Sequence, residues 1–131
     1  MTSPQQELFT ALLVQLRNAY PDQVFDGDLP QEAPYPFIYI GDTQQIADQR
    51  VKGAVFGRVT VQIHVWHNDE RKRGDLSLLL FNVQQIARSI SYTDSYGWCL
   101  SGADEMVLPD NSTADPLMHG VLSLEFKHYW R

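Results

Sequence analysis

Hydrophobic and polar positions recur along this chain with two different periods, and the change of period marks out its elements. Between residues 4 and 20, Leu8, Ala11, Leu12, Leu16 and Ala19 fall at helical spacing, with Phe9 and Leu13 widening the stripe. Ser3 stands where a cap is needed, Pro4 suits the first helical position, Gln6 completes a capping box, and Pro21 stops the helix. A second apolar stripe, Leu76, Leu79, Leu80, Val83, Ile86, Ala87 and Ile90, predicts an amphipathic helix over 70–91.

The period drops to two elsewhere. Val59, Val61, Ile63 and Val65 alternate with Thr60, Gln62, His64 and Trp66, the pattern of a half-buried strand over 57–67. Phe37 to Ile40 is a short apolar run that reads as a buried strand within 35–42, approached through Pro30, Pro34 and Pro36, which hold the chain extended. Val24-Phe25-Asp26 reads as a short edge strand. Trp98-Cys99-Leu100 and Met106-Val107-Leu108 read as separate strand segments, and Pro109 to Pro116 as a loop. The last strand, over 119–130, alternates Leu122, Leu124, Phe126, His128 and Trp130 with Val121, Ser123, Glu125, Lys127 and Tyr129. Strands arriving in adjacent pairs between two helices predict one α+β domain spanning 1–131: an antiparallel sheet of four or five strands with both helices on one face.

The connection from Thr43 to Gly57 is longer than a hairpin needs, and a compact domain seldom keeps such a length without a use for it. Gln44, Gln45, Asp48, Arg50 and Lys52 keep it soluble, while Ile46, Val55 and Phe56 supply scattered apolar anchors. It is expected to be either a segment ordered only against a partner or an extended two-stranded arm. Trp66 and Tyr129 fall on the sheet face assigned away from the helices, where an aromatic residue suits an interface anchor.

Composition narrows the function classes. The formal net charge of −6 argues against a general phosphate-binding surface. Arg71-Lys72-Arg73, the single basic cluster, follows Asp69-Glu70 directly and reads as a solvated turn. One cysteine, Cys99, rules out an intrachain disulfide. The first residues carry no basic region followed by an apolar run, and no apolar segment reaches membrane-spanning length, so neither a signal peptide nor a membrane span is expected.

Candidate chemistry is sparse. His64 and His67 are three apart, which on a strand sends them to opposite faces, so a metal pair is not expected and His64 is placed on the outer face beside Trp66. Cys99 has His119 and His128 downstream but no flanking nucleophile signature, and reads as a small packed strand residue. Asp104-Glu105 and Asp26/Asp28 read as turn and solvation residues, and the glycines form no phosphate cradle. No catalytic residue, metal or cofactor is expected. A small hydrolase-like enzyme using Cys99 or a histidine, and a monomeric protein-binding module, stand as the alternative classes.

From Val24-Phe25-Asp26-Gly27 through Pro34-Tyr35-Pro36-Phe37-Ile38-Tyr39-Ile40-Gly41, and again at Ile63-His64-Val65-Trp66, the chain resembles the small tail-completion (tail terminator, head–tail joining) proteins of long-tailed phages and prophages. Element order is similar along nearly the whole chain, and Leu117-Met118-His119-Gly120-Val121 before an alternating strand fits as well. The resemblance implies a structural virion protein made in the bacterial cytoplasm and located in the neck region of the tail. Its expected partners are other copies of itself in a hexameric ring, the tail tube protein and the head–tail connector, with DNA crossing the lumen without specific binding. Gln44, Gln45, Ile46, Asp48, Arg50, Lys52, Val55, Phe56, Trp66 and Tyr129 are then the expected interface residues.

Overall fold

The computed structural model describes residues 2–48, 56–110 and 117–131. Helix α1 (Pro4–Ala19) begins as its sequence predicts: Ser3 is the N-cap and its hydroxyl accepts from the Gln6 amide at 3.2 Å. The reciprocal half of the capping box is not made, because the Gln6 side chain turns forward to donate to Thr10 Oγ1. Helix α2 (Arg73–Arg88) is shorter than the predicted 70–91. Its start lacks a side-chain cap, and Ile90 continues the apolar stripe beyond the last turn as a buried residue.

Five strands form the sheet: β1 (Val24–Phe25), β2 (Phe37–Asp48), β3 (Phe56–His67), β4 (Tyr96–Asp110) and β5 (Leu117–Trp130). Their order is β1-β2-β3-β5-β4. The sheet is mixed, which corrects the expectation of a wholly antiparallel one. β1 runs parallel to β2, Val24 beside Ile38, because the proline-rich segment returns the chain to the end from which β1 started. All other pairings are antiparallel.

Two further expectations change. The described part of the long connection is strand: β2 pairs with β3 out to Asp48 opposite Phe56, so the arm reading holds for residues 43–48 and 56–57, while Arg50, Lys52 and Val55 lie outside the described residues. The two short segments around Trp98 and Met106 are one strand, β4, which continues through Pro109 and Asp110; the rest of the predicted loop, 111–116, lies outside the described residues. Both strands carry a register shift, between Ile40 and Thr43 in β2 and between Leu100 and Gly102 in β4. Such a bulge moves every later side chain to the opposite face.

Both helices pack on one side of the sheet, α1 over β1 and β2, α2 over β3, β5 and β4. Val59, Val61, Ile63, Leu122, Leu124 and Phe126 project from the sheet into this layer and are at most 2 % exposed. Leu8, Leu12 and Leu16 meet them from α1, and Leu76, Leu80 and Val83 from α2. Gly120 lies under α2, where an added Cβ would come within 2.8 Å of Leu80 Cδ1, so its lack of a side chain lets the helix sit close to β5. Removing the Leu80 side chain therefore opens a cavity at the tightest part of the interface. Leu80→Ala is expected to cost about 2–5 kcal/mol, read as a lowered denaturant midpoint; a wild-type midpoint would show that this contact does not hold helix to sheet.

Candidate functional site: the uncovered face of the sheet

With both helices on one side, no helix among the described residues lies over the other sheet face. Its side chains stand in cross-strand rows fixed by register. Phe37, Trp66, His119 and Leu108 are successive neighbours across β2, β3, β5 and β4. Tyr39, His64, Val121 and Met106 form the next row. Phe25 on β1 is in register with Tyr39 of the second row, and its ring leans diagonally, edge-on, toward Phe37 with centroids 6.0 Å apart. Beyond these rows come Gln62, Ser123 and Asp104, then Arg58, Glu125 and Lys127. The uncovered face is thus aromatic and apolar at one end and polar to charged at the other.

The aromatic end is ordered by stacking. Trp66 and His119 lie nearly parallel, with centroids 3.7 Å apart and an interplanar angle of 6°, and Phe37 stacks on the far side of Trp66 at 6.5 Å. His64 Nδ1 and His119 Nε2 are 2.8 Å apart, so one donates and the other accepts. Burial lowers the pKa of both imidazoles from the ordinary 6.5; their mutual repulsion adds to this at His119, while Asp42 at His64 and Asp110 at His119 pull the other way. Both rings are therefore neutral near neutral pH. One added proton is compatible with the shared hydrogen bond, whereas a second places two N–H groups against each other. Met106 and Leu108 are 57 % and 42 % exposed, a large apolar contribution to a face without a cover.

The residues singled out in the sequence fall on this face unevenly. Trp66 stands in its first row, and Tyr129 lies at the opposite, polar end, where its ring sits over Gly97 so closely that a side chain there would collide with it. Gln44 and Ile46 point to the uncovered side along the β2–β3 arm. Gln45 is turned to the helix side by the β2 bulge, and its Nε2 lies 2.9 Å from Nε2 of the buried His128. Asp48 and Phe56 are backbone partners at the outermost described pair of the arm, and Phe56 also pairs with Tyr129. Arg50, Lys52 and Val55 lie outside the described residues. The expected residues thus do not gather in one place; Trp66 is separated from the arm by the length of the sheet.

The sequence reading missed His119, Met106 and Leu108 as members of this face. The alternation of β5 extends back from Tyr129 and Val121 to His119, so that signal was present. Met106 and Leu108 reach this face after the β4 bulge, which no period reveals. Cys99 corrects a second expectation: it is exposed on the uncovered face of an edge strand rather than packed. It pairs in register with Lys127, and His128 projects to the other face, so no imidazole adjoins it across the strand. Among the described residues, no group of three His, Cys, Asp or Glu could hold a metal ion.

No family model matches the chain, and no curated protein does. Among solved structures, a chain described as the virion of native gene transfer agent (GTA) particle has a similar fold, with a TM-score of 0.59 and 12 % identity, over 98 % of this chain and 94 % of that one. The likeness is one of fold.

The buried imidazoles make stability depend on pH. His64, His119 and the buried His128 all have pKa values lowered by burial, so the unfolded chain binds protons more readily than the fold once the pH drops through the ordinary 6.5. Stability is expected to be full above that value and to decline below it. His119→Gln is expected to lower Tm at neutral pH through the lost stack, and to make the further decline on acidification shallower; an unchanged acid slope would contradict the assignment.

Proposed function

We propose that this chain is a non-enzymatic structural component of a phage-like virion: a tail terminator whose copies form a ring at the head-proximal end of the tail tube and join the tail to the head. The observation that carries this reading is the uncovered sheet face, whose aromatic rows end in exposed Met106 and Leu108, an apolar surface of the kind that marks an interaction site. Two observations support it. The fold is similar end to end to a chain from a GTA virion. The sequence elements that resemble tail-completion proteins, Phe37 to Gly41 and Ile63 to Trp66, are the strand segments that build those rows.

In this reading, the aromatic end is the docking patch for the tail tube or the connector, with Trp66 as a rigid anchor backed by the buried Phe37, and Met106 and Leu108 as the adaptable margin. The β2–β3 arm, paired out to Asp48 opposite Phe56, is the part that reaches a neighbouring copy. An acidic chain around a channel crossed by DNA avoids holding the phosphates. Cys99 has no part in the function.

The test uses Met106→Lys combined with Leu108→Glu, both at exposed positions where a charge leaves the core intact. The variant is expected to keep the wild-type Tm and to fail to complement a particle-producing strain that lacks this chain, giving separate heads and tails. A folded variant that supports a normal yield of joined particles would overturn the assignment of this face.

A further inference from the structure

The two half-buried histidines of the uncovered face stand diagonally rather than directly opposite: His64 is in register with Val121, and His119 with Trp66. Their rings nonetheless meet, with Nδ1 of His64 2.8 Å from Nε2 of His119. Each ring is seated against a neighbour. His119 lies flat on Trp66 at 3.7 Å, and His64 leans over β2 at Gly41, where an added Cβ would come within 3.1 Å of its Nε2. One carboxylate acts on each ring, Asp42 of β2 on His64 and Asp110 of β4 on His119. Tyr39 faces His64 with ring centroids 6.4 Å apart, and Asp104 stands one row beyond Met106. Among the described residues, no lysine or arginine occupies the two rows that hold the pair.

This contact distinguishes one proton from two. In the neutral pair, one ring donates and the other accepts. A first added proton keeps the contact, since imidazolium to imidazole is a charge-assisted hydrogen bond. Asp42 and Asp110 favour that charge, and on His119 the indole face of Trp66 favours it as well. A second proton leaves a hydrogen on both contacting nitrogens, with no acceptor between them, and sets two cations side by side. The rings must then part.

We propose that the His64–His119 pair is a proton-operated latch on the docking patch around Trp66: the patch holds its partner while the pair carries at most one added proton, and the second proton releases it. The first proton leaves the row closed. The second opens it and puts two charges where an apolar partner surface has to lie, next to Leu108 and Val121. The coupling is reciprocal: a partner that covers the pair excludes water from the rings, so docking opposes the second proton as much as that proton opposes docking. Burial, with mutual repulsion added at His119, places the release on the acid side of the ordinary imidazole value of 6.5. This regulation rests on the docking role proposed above.

The test begins with the free wild-type chain, whose imidazole rings are followed by NMR during acidification. Two steps separated by about one pH unit or more are expected. The nuclear Overhauser contact between the two rings should survive the first step and vanish at the second. His64→Gln removes the latch but keeps a hydrogen bond, because the amide oxygen can accept from protonated His119. In that variant His119 should titrate once, at a higher pH than the second wild-type step. Purified particles containing either chain are then acidified, and wild-type particles should separate into heads and tails at a pH where His64→Gln particles stay joined. Independent titration of the two wild-type rings, or a ring contact that persists when both are charged, would overturn the latch. Equal acid sensitivity of the two kinds of particle would overturn its control of docking. The ring titration needs no particles, so the latch can fail while the virion role stands, and the complementation described above can fail while the ring titration proceeds as expected.

Discussion

Both helices are spent on one side of a single sheet, and much else in the molecule follows from that constraint. Leu8, Leu12 and Leu16 from α1 and Leu76, Leu80 and Val83 from α2 fill one layer, closed down onto β5 where Gly120 lets α2 approach. The opposite face must then be stabilised by its own cross-strand contacts. At one end it is, by stacked rings: Phe25, Phe37, Trp66 and His119 lean on one another from strand to strand. At the other end charged and polar residues meet water, with Arg58 paired to Glu125 at 2.9 Å. A face so divided is stable without a cover and still offers apolar surface to a partner.

The bulges in β2 and β4 shape that division. In β4, Trp98 and Leu100 face the helices before the shift and Ala103 and Val107 after it. That change of phase turns Met106 and Leu108 outward, beside Val121 and His119. In β2 the shift sends Thr43 and Gln45 toward the helix side, where they meet Gln5 from the start of α1 and His128 from β5. The same device therefore supplies polar partners on the helix side of one strand and apolar margin on the open face of another.

What the sequence made legible follows from where its period is unbroken. β3 and β5 carry no shift, so Val59 to Val65 and Leu122 to Phe126 could be assigned to the core and Trp66 and His64 to the outer face directly. The α1 boundaries followed from Ser3, Pro4 and Pro21 because capping chemistry is local. β4 was legible only in pieces, since its bulge at Leu100 and Gly102 breaks the alternation that would join Trp98 to Met106. The parallel pairing of β1 was hidden for a different reason: two residues carry no orientation signal, and their direction is set by the path of the segment through Pro30, Pro34 and Pro36. The His64–His119 contact joins residues distant in the chain and required the β3–β5 register before it could be recognised.

The most direct measurement of the central claim, that the uncovered face is occupied in the assembled particle, is the oxidation of Met106 followed by mass spectrometry. Met106 is 57 % exposed in the single chain, and Tyr92, 60 % exposed on the connection between α2 and β4, serves as an internal reference. Brief oxidant exposure of the free chain and of purified particles containing it should modify Met106 readily in the first and scarcely in the second, relative to modification at Tyr92. Equal oxidation of Met106 in both would mean that the face remains open to solvent in the particle, and would contradict the account.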